Sequence, residues 1–179
     1  MKNFLDKIIF RSNNLDDISQ SIKNLTKKTP ANKIFKAINS YDLESEIRYV
    51  GGCVRKIINK EKVDDIDLAT NLEPNQVCEA LKKKNIDFYK TGIEHGTVTA
   101  VIDDYKFEIT TLREDVFTDG RHAKVKFSKN WKEDACRRDF TINSIYSDSD
   151  GNLFDPHDGK HDLKKGYINF IGDADKRVK

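Results

Sequence analysis

The chain has 179 residues, of which 37% are apolar and 35% charged, and 32 Lys and Arg against 30 Asp and Glu leave a net charge of +2. That balance excludes a nucleic-acid binder that works through an overwhelming positive field alone, and ten Phe with six Tyr argue against disorder, because aromatic burial offsets chain entropy. No apolar run approaches the roughly 18 residues that span a membrane, and Cys53, Cys78 and Cys136 form no CxxC pair, so neither a disulfide framework nor a zinc ribbon is supported.

The Met1–Leu5 start lacks the roughly 7–15-residue apolar core of a secretory signal, so the expected setting is reducing and cytoplasmic. The length fits one domain with a short appendage. Leu15, Ile18, Ile22 and Leu25 fall at helical spacing, with Asp16 and Asp17 near the start. Pro30 breaks that pattern, and Ile34, Phe35, Ile38 and Tyr41 predict a second short helix. Residues 1–45 are therefore expected to be a helical appendage, and residues 46–179 the main domain. Ile47 to Val50 predicts a strand that runs into Gly51-Gly52, with a helix to about Lys60. Asp65 to Thr70 predicts a second strand. Pro74 suits the first turn of a helix to about Lys84, and Ile86 to Tyr89 a short strand. Two β-rich runs, 97–102 and 106–112, are separated by Asp103-Asp104-Tyr105, which is a hairpin signal. Residues 114–124 are polar, contain Gly120 and read as an exposed loop. Asn130 to about Tyr146 reads as helical, and Gly151 marks a turn. Helices and strands mixed around a hairpin predict the α+β class, with a small mixed sheet and flanking helices.

Asp65 and Asp67 are the sharpest feature. Side chains two apart on a strand share a face, so Ile66 and Leu68 would enter the core while two carboxylates project together. Carboxylates so placed repel unless a cation sits between them. Mg²⁺ takes oxygen ligands, often one or two carboxylates plus substrate phosphates. Phe107 and Ile109 flank Glu108 in the same way, so a neighbouring strand supplies a third acid. Three carboxylates suit a two-metal phosphoryl-transfer site, where the ions clamp the attacking and leaving oxygens; the alternative is a row of surface acids with no function. Gly51-Gly52 lies between a strand and a helix, where backbone N–H groups attract phosphate. Arg55 and Lys56 follow about one turn later. The turn is neither a Walker loop nor a GxGxxG fingerprint.

Together these residues resemble the class II tRNA nucleotidyltransferases, the CCA-adding enzymes. These belong to the polymerase-β-like nucleotidyltransferases, with the bacterial poly(A) polymerases as close relatives. The family pattern Gly-Gly-x-Val-Arg followed by Asp-x-Asp is similar to Gly51, Gly52, Val54, Arg55, Asp65 and Asp67. Gly92-Ile93-Glu94-His95-Gly96-Thr97, Glu108 to Arg113, Asp119-Gly120-Arg121 and Arg137 to Asn143 carry the resemblance further, over about Tyr49 to Arg177. The resemblance implies the polymerase-β-like head fold. It implies that Asp65 and Asp67 hold Mg²⁺, that Glu108 is the third carboxylate, and that Gly51, Gly52 and Arg55 hold a triphosphate. Arg138, Asp139 and Asn143 would lie near the incoming nucleotide, with Asp139 on a ribose hydroxyl and Arg121 reaching in from a loop over 115–124. The implied substrates are CTP, ATP and the 3′ end of tRNA.

The chain departs from the family pattern in two places. Lys56 stands where the family usually has Asp. Family members also continue into a neck with Glu-Asp-x-x-Arg, which pairs with the incoming base, and then into body and tail domains. This sequence stops at Lys179, about where the neck would begin, so those parts are expected on a longer natural chain or on another chain. Poly(A) synthesis has the same chemistry, but Gly92 to Thr97 and Asp119 to Arg121 look more like the CCA-adding enzymes. A nucleotide- or RNA-binding module without catalysis is the alternative of a different class, and the intact acids argue against it.

Overall fold

The computed structural model describes residues 15–116 and 124–172. Two amphipathic helices come first, α1 (Leu15–Lys28) and α2 (Ala31–Asn39). Pro30 stands between them at the N-cap of α2. Ile18 and Ile22 of α1 are buried, as are Ile34, Phe35 and Ile38 of α2. The chain then enters the sheet at β1 (Ile47–Val50). It turns at Gly51 into α3 (Gly52–Ile58) and returns in β2 (Ile66–Thr70). Helix α4 (Pro74–Lys83) starts with Pro74 in its first turn, and the Gln76 side chain accepts from the Glu73 N–H at 2.9 Å.

Strands β3 (Asp87–Gly92), β4 (Thr97–Ile102) and β5 (Tyr105–Thr111) form a meander. The β4–β5 loop is two residues long, because Tyr105 already pairs with Ile102. Asp103 takes the left-handed conformation there, with φ of 53°. Later come β8 (Tyr146–Ser147) and β9 (Leu153–Phe154), which give one seven-stranded sheet in the order β3-β4-β5-β2-β1-β8-β9. β2 and β5 run parallel, and the other described pairs of this sheet are antiparallel. The sheet is thus mixed and flanked by helices, as the α+β expectation required.

Period-two alternation divides the sheet into two faces. Ile47, Tyr49, Ile66, Leu68, Phe107 and Ile109 pack with α1 to α4 in the main core. Tyr49 and Phe35 rings stand 4.8 Å apart, and Thr26 bonds the Tyr49 hydroxyl. Residues 15–45, expected as an appendage, therefore share the core of the sheet. Val50, Ala69 and Leu112 face the other way and form a smaller cluster with Ala135 and Tyr146. Helix α5 (Trp131–Cys136) covers that end of the second face.

Two segments differ from the sequence-based expectation. The stretch read as a loop is partly strand: β6 (Arg113–Val116) pairs with β7 (Lys124–Phe127) in a separate antiparallel ribbon. Arg113, Glu114 and Asp115 are three consecutive charged residues, which leave no apolar period on β6 to read. Residues 117–123 lie outside the described residues. The helix expected over 130–146 ends at Cys136. Beyond it, Asp139, Phe140 and Thr141 exchange backbone bonds with residues 169–171, and a single 3₁₀ turn follows at 141–143. Tertiary pairing there outcompetes the helical periodicity. Helix α6 (Gly159–Lys165) packs against that turn. The Thr141 hydroxyl donates to Asp162 at 2.6 Å, and a side chain at Gly159 would collide with the Thr141 carbonyl.

Candidate active site

The site lies where β1, β2 and β5 meet on the second face of the sheet. Gly51 ends β1 with φ 67° and ψ −129°, a conformation that requires glycine. Gly52 is different. Its φ is ordinary, and a Cβ there would meet no protein atom within 4 Å. The backbone therefore needs Gly51, while the space over Gly52 is open.

Ile66 and Leu68 are buried, and Asp67 between them points to the opposite face, half-buried. Asp65 directly precedes the strand and is exposed. In the parallel pairing of β2 with β5, Asp67 stands directly beside Glu108. Glu108 is exposed between buried Phe107 and Ile109, as their alternation predicts. The electrostatics report the same cluster. The Asp67 carboxyl is held above the usual carboxylate range, by burial first and then by the charges of Glu108 and Asp65. Arg138 pulls it the other way.

The remaining expected residues surround the Gly51 turn. A Cβ at Gly51 would lie 3.8 Å from both Arg138 Nη1 and the Asn143 carbonyl. Arg55, on α3, donates to the Asn143 side-chain oxygen. Asn143 in turn donates to Asp139 at 3.1 Å, and Asp139 also accepts from the Phe140 N–H at 2.7 Å. The 3₁₀ turn thus links Arg55 to Asp139 through Asn143. The structure brings together Gly51, Gly52, Arg55, Asp65, Asp67, Glu108, Arg138, Asp139 and Asn143. Arg121 lies outside the described residues. Lys56, where the family usually has Asp, turns away to pair with Asp64 at 3.4 Å. Cys53 is buried and Cys136 is exposed.

Sequence reasoning missed Asp134 and Tyr146. Asp134 is fully buried on α5. It accepts from the Arg113 N–H, Arg137, Arg138 and the Tyr146 hydroxyl. Its signal in the sequence was an acid i−3 and i−4 to two arginines, a pattern that normally marks a solvated helix face.

Comparison with known proteins fits this geometry. Residues 47–169 match the poly A polymerase head domain. The chain belongs to that family. Within it, the human mitochondrial CCA tRNA nucleotidyltransferase 1 is 47% identical over 134 residues, which are 74% of this chain and 31% of that protein. A CCA-adding enzyme of Lactobacillus johnsonii is 41% identical over 151 residues, 83% of this chain and 36% of that one. A Bacillus stearothermophilus CCA-adding enzyme, solved in complex with CTP, superposes with a TM-score of 0.72 at 30% identity, over 83% of this chain and 34% of that one. The chain spans about a third of the length of the curated relatives it matches. The resemblance to the CCA-adding enzymes and the head fold it implied both hold. Among the described residues no helix is long and apolar enough to cross a membrane.

Proposed function

We propose that this chain is the catalytic head of an RNA 3′-terminal nucleotidyltransferase, which transfers CMP and AMP from CTP and ATP to the 3′ end of tRNA. One observation carries the reading: Asp67 stands in register with Glu108 on parallel strands, with the charge of Asp65 close enough to act on it, beside a glycine turn backed by Arg138. Among the described residues, no three His, Cys, Asp or Glu side chains make a cage that holds a metal alone. Mg²⁺ is commonly held by one or two carboxylates and completes its shell with water and substrate phosphate. Asp65 and Asp67 would hold it, and a cation there would offset both the burial and the neighbouring charges of Glu108 and Asp65 that raise Asp67. When bound, the ion supplies charge neutralisation at the α-phosphate.

The chain's own residues do the rest. Gly51 and the open space over Gly52 admit the triphosphate, and Arg55 and Arg138 supply positive charge beside it. Asp139 and Asn143 face the ribose, with Arg121 assigned there by resemblance alone. Glu108 adds a third negative charge next to the attacking hydroxyl. The RNA 3′-oxygen bonds to the α-phosphorus as the bond to the β-phosphate oxygen breaks. Pyrophosphate leaves, and the hydroxyl proton passes to the carboxylates or to solvent. Cys53, Cys78 and Cys136 form no CxxC pair, which suits a reducing compartment. That compartment is cytoplasmic in the proposal, although the human relative's name places that protein in mitochondria.

Gly52→Ala tests the phosphate assignment. With ordinary φ and open space, the variant should melt within about 1 kcal/mol of wild type but bind CTP and ATP more weakly. A variant that binds both nucleotides as wild type does would remove Gly52 from the site. The family's description makes poly(A) synthesis the second reading. The two separate on a tRNA that lacks its terminal CCA, incubated with labelled CTP, ATP and Mg²⁺. Addition that stops after three nucleotides supports CCA synthesis. A long tail from ATP alone supports the second reading, and no metal-dependent incorporation by a form that carries neck, body and tail points to a binding module.

A further inference from the structure

We infer that Asp134 and Tyr146 are positioning residues, which brace Arg138 from behind and aim its guanidinium at the phosphates of the incoming nucleotide. The inference rests on the placement of Arg138 in the nucleotide site proposed above. Arg138 reaches back with two nitrogens. Nε donates to the Tyr146 hydroxyl at 2.9 Å and to Asp134 Oδ2 at 3.3 Å, and Nη2 donates to the same oxygen at 3.2 Å. Tyr146 closes the triangle by donating to Asp134 Oδ2 at 2.7 Å. The guanidinium carbon also stands 5.2 Å from the centre of the Tyr146 ring.

The forward side of the same group faces the site. Nη1 lies 3.8 Å from the point where a side chain would start at Gly51, and the charge of Arg138 is felt by Asp67. A planar guanidinium held along one edge has its other edge fixed in direction. Asp134 is itself fixed, since Arg137 and the Arg113 N–H occupy Oδ1 at 2.8 and 3.2 Å. Tyr146 is fixed by rings on two sides, Trp131 at 5.6 Å and Phe154 at 5.8 Å.

The cluster is a costly way to fill space. Two charges taken from water must recover their solvation from each other, and apolar residues of similar volume commonly serve a core as well or better. Its contribution is therefore one of direction, which an apolar core lacks. Arg138 needs that direction because a long side chain left to itself loses rotamer freedom when it meets a ligand.

Tyr146→Phe is the direct test, because it keeps both ring contacts and removes only the hydroxyl. Titration of CTP with Mg²⁺ into the whole chain should show affinity weakened about tenfold or more, the scale of one hydrogen bond to a charged group. The same substitution in an Arg138→Ala background should change the affinity little, since Tyr146 acts through Arg138. A purely structural role would instead give losses that multiply. If Tyr146→Phe folds poorly, Asp134→Asn, which keeps the shape, takes its place in the same cycle. The inference is overturned if Arg138→Ala weakens binding while Tyr146→Phe does not, or if the losses multiply. If Arg138→Ala itself binds CTP as wild type does, the placement of Arg138 in the site fails, and the inference fails with it.

Discussion

Asp67→Asn is expected to reduce metal-dependent nucleotide transfer by roughly 10²–10³-fold or more while leaving the fold intact. Charge stabilisation by a bound metal contributes several kcal/mol to a phosphoryl-transfer transition state, and each 1.4 kcal/mol or so is tenfold in rate. Asn keeps the size of the side chain but loses the charge that holds the cation. The effect on stability has the opposite sign from that of most buried carboxylates. Burial and the neighbouring charges of Glu108 and Asp65 raise the Asp67 carboxyl in the folded protein. Its ionised form therefore works against folding as pH rises through and above the usual carboxylate range. Neutral Asn removes that opposition, so the variant should melt at or slightly above the wild-type temperature at neutral pH. Single-turnover incorporation and thermal melting on the same preparation check both halves. Transfer near the wild-type rate, or a large fall in melting temperature, would mean that Asp67 serves the fold and not the chemistry.

Asp134→Ala should have the reverse profile and destabilise strongly. The carboxylate is fully buried and its removal leaves Arg137 and Arg138 without their shared anion, in side chains only 13% and 16% exposed. Removing one partner of a buried ion pair costs about 3–5 kcal/mol, or a fall in melting temperature of roughly 6–20 °C for a chain of this size. The cluster also sets an acid limit. Burial alone would raise the Asp134 carboxyl, but the charges of Arg138 and Arg137, aided by the Tyr146 hydroxyl, overcome it and hold the group below its ordinary range. Its stabilisation is complete above the unfolded value of about 3.9 and is lost as pH falls through the folded one. Melting followed from pH 6 down to pH 2 should show part of the wild-type acid loss missing in Asp134→Asn. An unchanged acid profile would show that other carboxylates set the limit.

The parts of the molecule legible in the sequence were those where one residue type answers one local need. Strand β1 could be read from Ile47 to Val50, because a run of β-branched and aromatic residues around Arg48 stops at a glycine whose positive φ the turn requires. Alternation around Asp67 and Glu108 announced which side chains enter the core and which project, and the faces follow it. That the two acids sit on neighbouring strands was expected, but the parallel direction and the register were not legible, because the strands are separated in sequence by α4, β3 and β4. Strand β6 was hidden by three consecutive charged residues, Arg113 to Asp115, which leave no period to detect. The short α5 was hidden by tertiary pairing of residues 139–141 with 169–171, which no local pattern records. Asp134 was missed because an acid three and four residues before arginines reads as a solvated face, whereas here it is the buried anchor of both.

We propose that the Asp65–Asp67 pair and the Gly51 turn form one metal-dependent nucleotide site. The most direct test is calorimetric titration of CTP into residues 1–179 with and without Mg²⁺, repeated with Asp67→Asn. Binding that is strong only with Mg²⁺, and that loses its dependence on Mg²⁺ in the variant, is the predicted result. Equal binding with and without the ion, unchanged by Asp67→Asn, would contradict it.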